Sequence, residues 1–378
     1  MYIFLVVFLS LYSGMHWYWY RKAAPVIPQV PAAKFLLVIF LLLMVSAPIM
    51  IRLLERWGHE AVARLTAGIG YSWMGFLFLS CTCYLVMDLV RMLVRFAGQA
   101  GFGGSLGSFL PGAGSAFTGV TVLVGLICIY GWYEATAIRT ETVEIYTTKI
   151  PKATGTITVA QISDVHLGLL VGEKRLGRII AALRGANPDL LVATGDLVDG
   201  QMDGSRGLSV MLREFSPRLG KYAVIGNHEL YAGGSQALTF LREAGFTVLR
   251  GDVVRIPGIL DIAGVDDPVF IGNEEAKVQE RTLLAQVQSD VYLLLLKHRP
   301  LVEPESRGKF DLQLSGHVHK GQIFPFEILT RLQFPLPTGL NGIAEGGAIY
   351  VSRGTGTWGP PIRFLAPPEI TVFRLRHP

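Results

Sequence analysis

The first 140 residues contain four long apolar stretches, and nothing else in the chain constrains its fold as much. They run from Met1 to about Tyr20, about Phe35 to Ile51, about Ile69 to Val90, and about Phe117 to Ala137. Crossing the hydrocarbon core of a bilayer takes about 20 consecutive, mostly apolar residues. Buried core helices of a soluble protein are the alternative, but four such runs in 140 residues weigh against it. Arg21 and Lys22 end the first stretch and Arg52 ends the second. Trp17, Trp19 and Tyr20, and later Trp132 and Tyr133, lie where an aromatic belt would sit. The first stretch lacks a basic leader and a small-residue cleavage site, so it reads as a retained anchor rather than a signal peptide. Between the third and fourth stretches, Gly98 to Gly119 is rich in glycine. No strand precedes it, which makes it a flexible connection and not a nucleotide loop. Residues 1–140 are therefore expected to form a multi-pass anchor of about four transmembrane helices.

Charge separates the two halves of the chain. The whole carries a net charge of +5, with 51% hydrophobic and 17% charged residues. Soluble domains have about 25% charged residues, and disordered chains far fewer apolar ones. Residues 1–150 hold 10 Lys+Arg against 6 Asp+Glu, whereas the remainder holds 24 against 23. The basic excess thus flanks apolar spans, and no nucleic-acid footprint is expected. An uncharged N-terminus followed by Arg21 and Lys22 favours an N-outside first helix, and four spans then place the C-terminal domain outside the cytoplasm. Cys81, Cys83 and Cys128 all lie in the spans, so the second half offers neither disulfide nor thiolate.

After about Thr140 the texture changes. Short apolar, β-branched runs such as Ile157–Ile162, Leu190–Thr194 and Tyr222–Ile225 alternate with amphipathic stretches such as Glu173–Arg184. This alternation marks an α/β domain, whose ligand site lies off the carboxyl ends of its strands. Polar residues cluster at those ends. Asp164 and His166 follow one strand, Asp196 and Asp199 the next, and Asn227 and His228 the third. His298 follows a fourth, in Lys-His-Arg-Pro, and His317 and His319 follow a fifth, in Gly-His-Val-His. One Asp-x-His after a strand is ordinarily a turn or cap. Five such groups in one order are not. Asp266 and Asp267 also follow a strand, but a turn ending at Pro268 accounts for them.

Imidazole and carboxylate donors suit Mn, Fe, Zn or Ni. Two such ions about 3.5–4 Å apart can clamp the attacking and leaving oxygens of a phosphoryl displacement and turn a bound water into hydroxide near neutral pH. Holding them so close requires a bridging anion, which an Asp after a central strand can supply.

The ordered set Asp164-x-His166, Gly195-Asp196-x-x-Asp199, Gly226-Asn227-His228-Glu229, His298 and Gly316-His317-x-His319 resembles the calcineurin-like metallophosphoesterase superfamily. The resemblance covers about residues 155 to 375. The tail motifs Ser352-Arg353-Gly354-Thr355-Gly356 and Pro367-Pro368-Glu369-Ile370 look like the membrane-anchored YkuE/YaeI-type branch. That branch often continues Gly-Gly-Gln after its last His pair, where this chain has Lys320-Gly321-Gln322. The resemblance implies an α/β/β/α sandwich over residues 155–378, joined to the anchor by a linker at 141–154. It also implies two divalent transition-metal ions. Asp164, His166 and His319 would bind one, Asn227, His298 and His317 the other, with Asp196 bridging. His228 would stabilise phosphoryl oxygens or protonate the leaving group, oriented by Asp199. Arg299, Lys320 and Arg353, with Lys297, are candidate phosphate contacts, although each could equally be an ordinary surface charge.

Ile323 to Leu340 follows the last His pair and is strongly apolar. It is compatible with a core-packed or capping segment, or with an apolar lip that rests on the bilayer and admits an acylated substrate. The function expected is hydrolysis of phosphodiester or phosphoanhydride bonds in a lipid-linked or amphipathic substrate. Two alternatives stay open. One is hydrolysis of soluble small molecules, with the helices only as anchor. The other is a membrane sensor or transport protein with an accessory phosphoesterase domain.

Overall fold

The computed structural model describes residues 2–28, 30–100, 110–200, 206–287 and 290–378. The middle of the glycine-rich connection, 101–109, lies outside them. The chain forms two compact units, one of residues 1–132 with 359–362, the other of residues 133–358 with 363–378.

The first unit is built from α1 (Tyr2–Ala23), α2 (Pro31–Arg56), α3 (Glu60–Gln99) and most of α4 (Ala113–Thr136). Three of these, α2, α3 and α4, are long and apolar enough to cross a membrane. The fourth expected span, α1, has 22 residues, but its second half carries His16, Arg21 and Lys22. Two of these polar groups, His16 and Lys22, find partners on α3, as an apolar setting demands. Trp73 Nε1 donates to His16 Nε2 at 2.9 Å, and Lys22 Nζ meets Asp88 at 2.6 Å. Gly70 of α3 lets α2 approach closely, because a Cβ there would meet that of Ala47 at 2.8 Å.

The second unit contains β1 (Arg139–Tyr146), β2 (Ile157–Ile162), α5 (Glu173–Ala186), β3 (Leu190–Thr194), α6 (Arg206–Arg213), β4 (Lys221–Val224), α7 (Asn227–Tyr231), α8 (Gly234–Glu243), β5 (Thr247–Val248), β6 (Asp252–Ile256) and β7 (Leu260–Gly264). It continues through α9 (Pro268–Ile271), α10 (Asn273–Leu284), β8 (Leu293–Leu296), β9 (Leu312–Ser315), α11 (Phe326–Gln333), β10 (Gly339–Gly342), β11 (Ala348–Val351) and β12 (Glu369–Arg376). Two six-stranded sheets result, ordered β1-β12-β2-β3-β4-β5 and β10-β11-β9-β8-β7-β6.

Alternation along the strands builds the layers. Ile157, Val159, Leu190 and Val192 join Ile262, Leu294, Leu312 and Leu314 in the core between the sheets. The intervening Ala160, Ile162, Leu191 and Ala193 pack with Leu176, Ile179 and Leu183 of α5 and Phe240 of α8. Leu283 and Leu284 of α10 cover the outer face of the second sheet with Leu293 and Leu295. The unit is thus an α/β/β/α sandwich.

The expected linker needs correction. Its first six residues belong to β1, which pairs in parallel with β12 from Arg139 to Tyr146. The reason is visible in retrospect: Val143 and Ile145 alternate with Thr142 and Glu144 and turn toward the inter-sheet core. β2, β3 and β4 run parallel in one sheet, and β7, β8 and β9 in the other. Each sheet therefore gathers the carboxyl ends of these three strands along one edge.

Candidate metal centre

The chain leaves β2, β3, β4, β8 and β9 through the motifs singled out above. Asp164, His166, Asp196, His317 and His319 all adopt positive φ, between 47° and 72°. Non-glycine residues pay about 1–3 kcal/mol each for such backbone, and it persists where the surroundings over-determine it. Neighbouring glycines let the loops close up. A Cβ on Gly226 would strike Asp196 Oδ1, and one on Gly316 would strike Ser163 Oγ and Asp164 Oδ2.

The loops bring the donors into two adjoining clusters. In one, Nε2 of His166 and His319 lie 3.0 Å apart, and His319 Nε2 is 3.4 Å from Asp164 Oδ1. In the other, His317 Nδ1 lies 3.1 Å from His298 Nε2, which is 3.2 Å from Asp196 Oδ2. Asp196 also groups with His166 and His228, and within each of these three sets the donor atoms lie within 4.8 Å of one another.

The donors suit divalent transition metals on several grounds. Imidazole nitrogens of different loops converge in both clusters, His166 Nε2 on His319 Nε2 and His317 Nδ1 on His298 Nε2. Asn227 Oδ1 is buried with no hydrogen-bond partner. His298 Nδ1 donates to the carbonyl of Thr194 at 2.8 Å, which leaves Nε2 as the donor atom facing Asp196. Burial and the charge of His228 push His166 down to about 3. Burial and His298 do the same to His317. His319 is held well below its usual value by burial and His166. All three are therefore neutral imidazoles, the form that binds metal. Burial raises Asp164 to about 6 against the opposing charge of His298. At His298 burial is outweighed by Asp196, which lifts the ring to about 10.

His228 stands beside the clusters. Its Nδ1–H donates to Asp199 Oδ1 at 3.0 Å, and its backbone N–H to Asp196 Oδ1 at 2.8 Å. Burial disfavours its cation, but the carboxylates of Asp196 and Asp199 prevail and push it up to about 9. The rings of Tyr231 and Trp358 approach it edge-on at 5.2 and 5.5 Å.

Two residues of the site had no role assigned from the motifs. Glu229, fully buried, accepts N–H groups from Gly226 at 2.7 Å, Asp196 at 2.9 Å, Leu197 at 2.7 Å and Val198 at 3.3 Å. It ties the loop bearing Asp196 to the loop bearing Asn227. Its signal was the fourth position of Gly-Asn-His-Glu. Arg363 is also fully buried; it donates to the carbonyls of Gly356, Arg353 and Ala366, and its Nη2 lies 3.1 Å from His319 Nδ1. No local pattern marks it.

The expected phosphate contacts fare differently. Arg299 is held by Asp267 through two hydrogen bonds of 2.8 and 3.0 Å, and Lys297 by Glu280 at 2.6 Å. Arg353 pairs with Glu369 and Glu141. These cations are engaged by carboxylates, whereas Lys320 makes no ion pair among the described residues. Asp266 does more than end a turn, since it holds Arg250 at 2.7 and 3.1 Å.

A His/Asp/Asn centre of two clusters on an α/β/β/α sandwich defines a metal-dependent hydrolase. The calcineurin-like phosphoesterase family matches residues 157–321. A metallophosphoesterase of Aquifex aeolicus is 42% identical over 267 residues, covering 68% of this chain and 98% of that protein. YkuE, a metallophosphoesterase of Bacillus subtilis, is 33% identical over 282 residues, covering 71% and 96%. A transmembrane protein with a metallophosphoesterase domain from Danio rerio is 30% identical over 269 residues, covering 68% of this chain and 62% of that protein. The chain belongs to the calcineurin-like metallophosphoesterase family, and it is a membrane protein of that family.

Proposed function

We propose that this protein hydrolyses phosphodiester or phosphoanhydride bonds, with Asp164, His166 and His319 holding one divalent ion, Asn227, His298 and His317 a second, and Asp196 bridging. The observation that carries the reading is the meeting of these donors from five strand ends, with His228 beside them. Two such ions, when bound, supply the charge that polarises a phosphoryl oxygen and acidifies water. The donor set is compatible with Mn, Fe, Zn or Ni. Asp199 engages Nδ1–H of His228, so the proton on Nε2 is the one within reach of a leaving oxygen. Charge from Asp196 and Asp199 keeps that proton in place at neutral pH. Lys320 is the remaining candidate for contact with the phosphate.

Aromatic residues border the site: Phe334 lies 5.0 Å from His317, and Trp358 and Tyr231 flank His228. They support a lipid-linked or amphipathic substrate. The sensor or transport reading is disfavoured by Asp88, which is already engaged by Lys22 and Tyr18. Four spans with an extracytoplasmic catalytic unit remain our reading of the charge pattern.

Purified protein should hydrolyse bis-p-nitrophenyl phosphate with Mn²⁺, and Asp196→Ala and His228→Ala should lose that activity. Unchanged turnover in both variants would refute the assignment. For the substrate, phospholipid or lipid pyrophosphate in vesicles should be cleaved faster than short-chain analogues. Equal rates would favour soluble small molecules instead.

A further inference from the structure

Helix α11 is inside out for a soluble domain. Its sequence, Phe-Glu-Ile-Leu-Thr-Arg-Leu-Gln, places Phe326, Ile328, Leu329 and Leu332 on one side by the 3.6-residue period and Glu327, Thr330 and Arg331 on the other. A helix packed on a water-soluble sandwich turns its apolar side to the core. Here none of its residues is buried, and all four apolar side chains are exposed together with Arg331 and Gln333, Leu332 at 80%. Glu327 and Thr330 are the half-buried positions instead. Glu327 accepts from Arg331 at 2.7 Å, one turn on, so the polar side is satisfied within the helix. Phe324, just before α11, is also exposed. A contiguous exposed apolar face of this kind marks a binding surface.

We propose that the apolar face of α11 lies in the lipid interface of a bilayer, as a short in-plane helix of the catalytic unit. The occupant follows from the chain itself. Three of its helices are long and apolar enough to cross a membrane, and only Ala137 and Ile138 separate α4 from β1 along the sequence. A lipid surface is therefore within tether reach of the catalytic unit in every copy. Large apolar residues on one side and polar or charged ones on the other are the arrangement of interfacial helices. The consequence reaches the metal centre. Phe334, the residue after α11, is buried and sets its ring against His317. The surface that meets lipid and the wall of the metal site thus belong to one continuous segment. This placement holds whether or not the substrate is itself a lipid.

The test uses the full chain reconstituted in phosphatidylcholine–phosphatidylglycerol vesicles. Cys81, Cys83 and Cys128 are replaced by Ala, and a nitroxide is placed at Leu332→Cys, at Leu329→Cys or, as an aqueous reference, at Glu274→Cys. Retained hydrolysis of bis-p-nitrophenyl phosphate verifies the fold of each labelled protein. Labels at 329 and 332 should be relaxed strongly by oxygen and weakly by a water-soluble nickel chelate, the reverse of the label at 274. Nickel access equal to that at 274 would overturn the proposal. So would exclusion of both reagents, which would show that protein, not lipid, covers the face. Leu332→Asp should move the 329 label toward water while leaving turnover of the soluble ester within twofold. No movement of the label would count against lipid immersion.

Discussion

Nδ1 of His228 lies 3.0 Å from Oδ1 of Asp199, three residues beyond Asp196 at the end of β3. The carboxylate fixes the ring so that its other nitrogen faces the clusters, and it stabilises the protonated form. Asp199→Asn removes the charge but not the shape. It should lower kcat about 10–100-fold, with metal content by elemental analysis unchanged. His228→Ala should cost about 10²–10⁴-fold. An accompanying loss of bound metal in either variant would mean that the pair acts structurally instead.

Glu229 should matter to stability before it matters to chemistry. Its carboxylate serves backbone donors from two loops in a fully buried place. Glu229→Ala orphans them, at a cost of about 3 kcal/mol. Thermal unfolding of the catalytic unit should shift down, and metal binding should weaken with it. Glu229→Gln keeps one acceptor oxygen and should fall between that variant and the wild type.

Arg363 should affect metal affinity more than turnover. Gly356, Arg353 and Ala366 carbonyls fix its guanidinium, whose Nη2 lies 3.1 Å from His319 Nδ1 and so holds the ring in position. Lysine cannot reproduce that fork. Arg363→Lys should weaken metal binding by about 10–100-fold in a titration, with kcat recovering at saturating metal. A kcat that stays low at saturation would contradict this role.

Lys221 gives the fold a pH dependence. Burial, with Arg213 adding to it, pulls its amine down from 10.5 to about 8, while the Leu212 and Ala244 carbonyls accept from it at 2.7 and 2.6 Å. Between pH 8 and 10.5 the unfolded chain therefore holds a proton that the folded chain has released. The unfolded state binds more protons in that window, so this residue's contribution to stability rises with pH there and is flat below it. Denaturant midpoints at pH 8 and 10 should show the rise, and Lys221→Met should remove it.

Much of the site was legible because its chemistry is local in sequence. Each ligand pair sits within a few residues of one strand end, so Asp164-x-His166 or His317-x-His319 carries its own signal. What the sequence hid is what reaches across the fold. Arg363 meets His319 from 44 residues away, in a proline-rich loop with no periodicity. Arg299 and Arg353 looked like free cations because their carboxylate partners, Asp267 and Glu369, lie elsewhere in the chain. β1 hid in an expected linker because its alternation was short and charged, and its pairing partner β12 lies more than 200 residues on. The apolar run after His319 was ambiguous for a different reason. Only burial shows that Phe334 joins the core while α11 before it faces outward.

The account stands most directly on the metal content of the purified protein, measured by elemental analysis alongside Asp196→Ala. Two divalent transition-metal ions per chain in the wild type, falling to at most one in the variant, is the expected result. Two ions retained without Asp196, or no more than one in a fully active wild type, would contradict a centre bridged by that carboxylate.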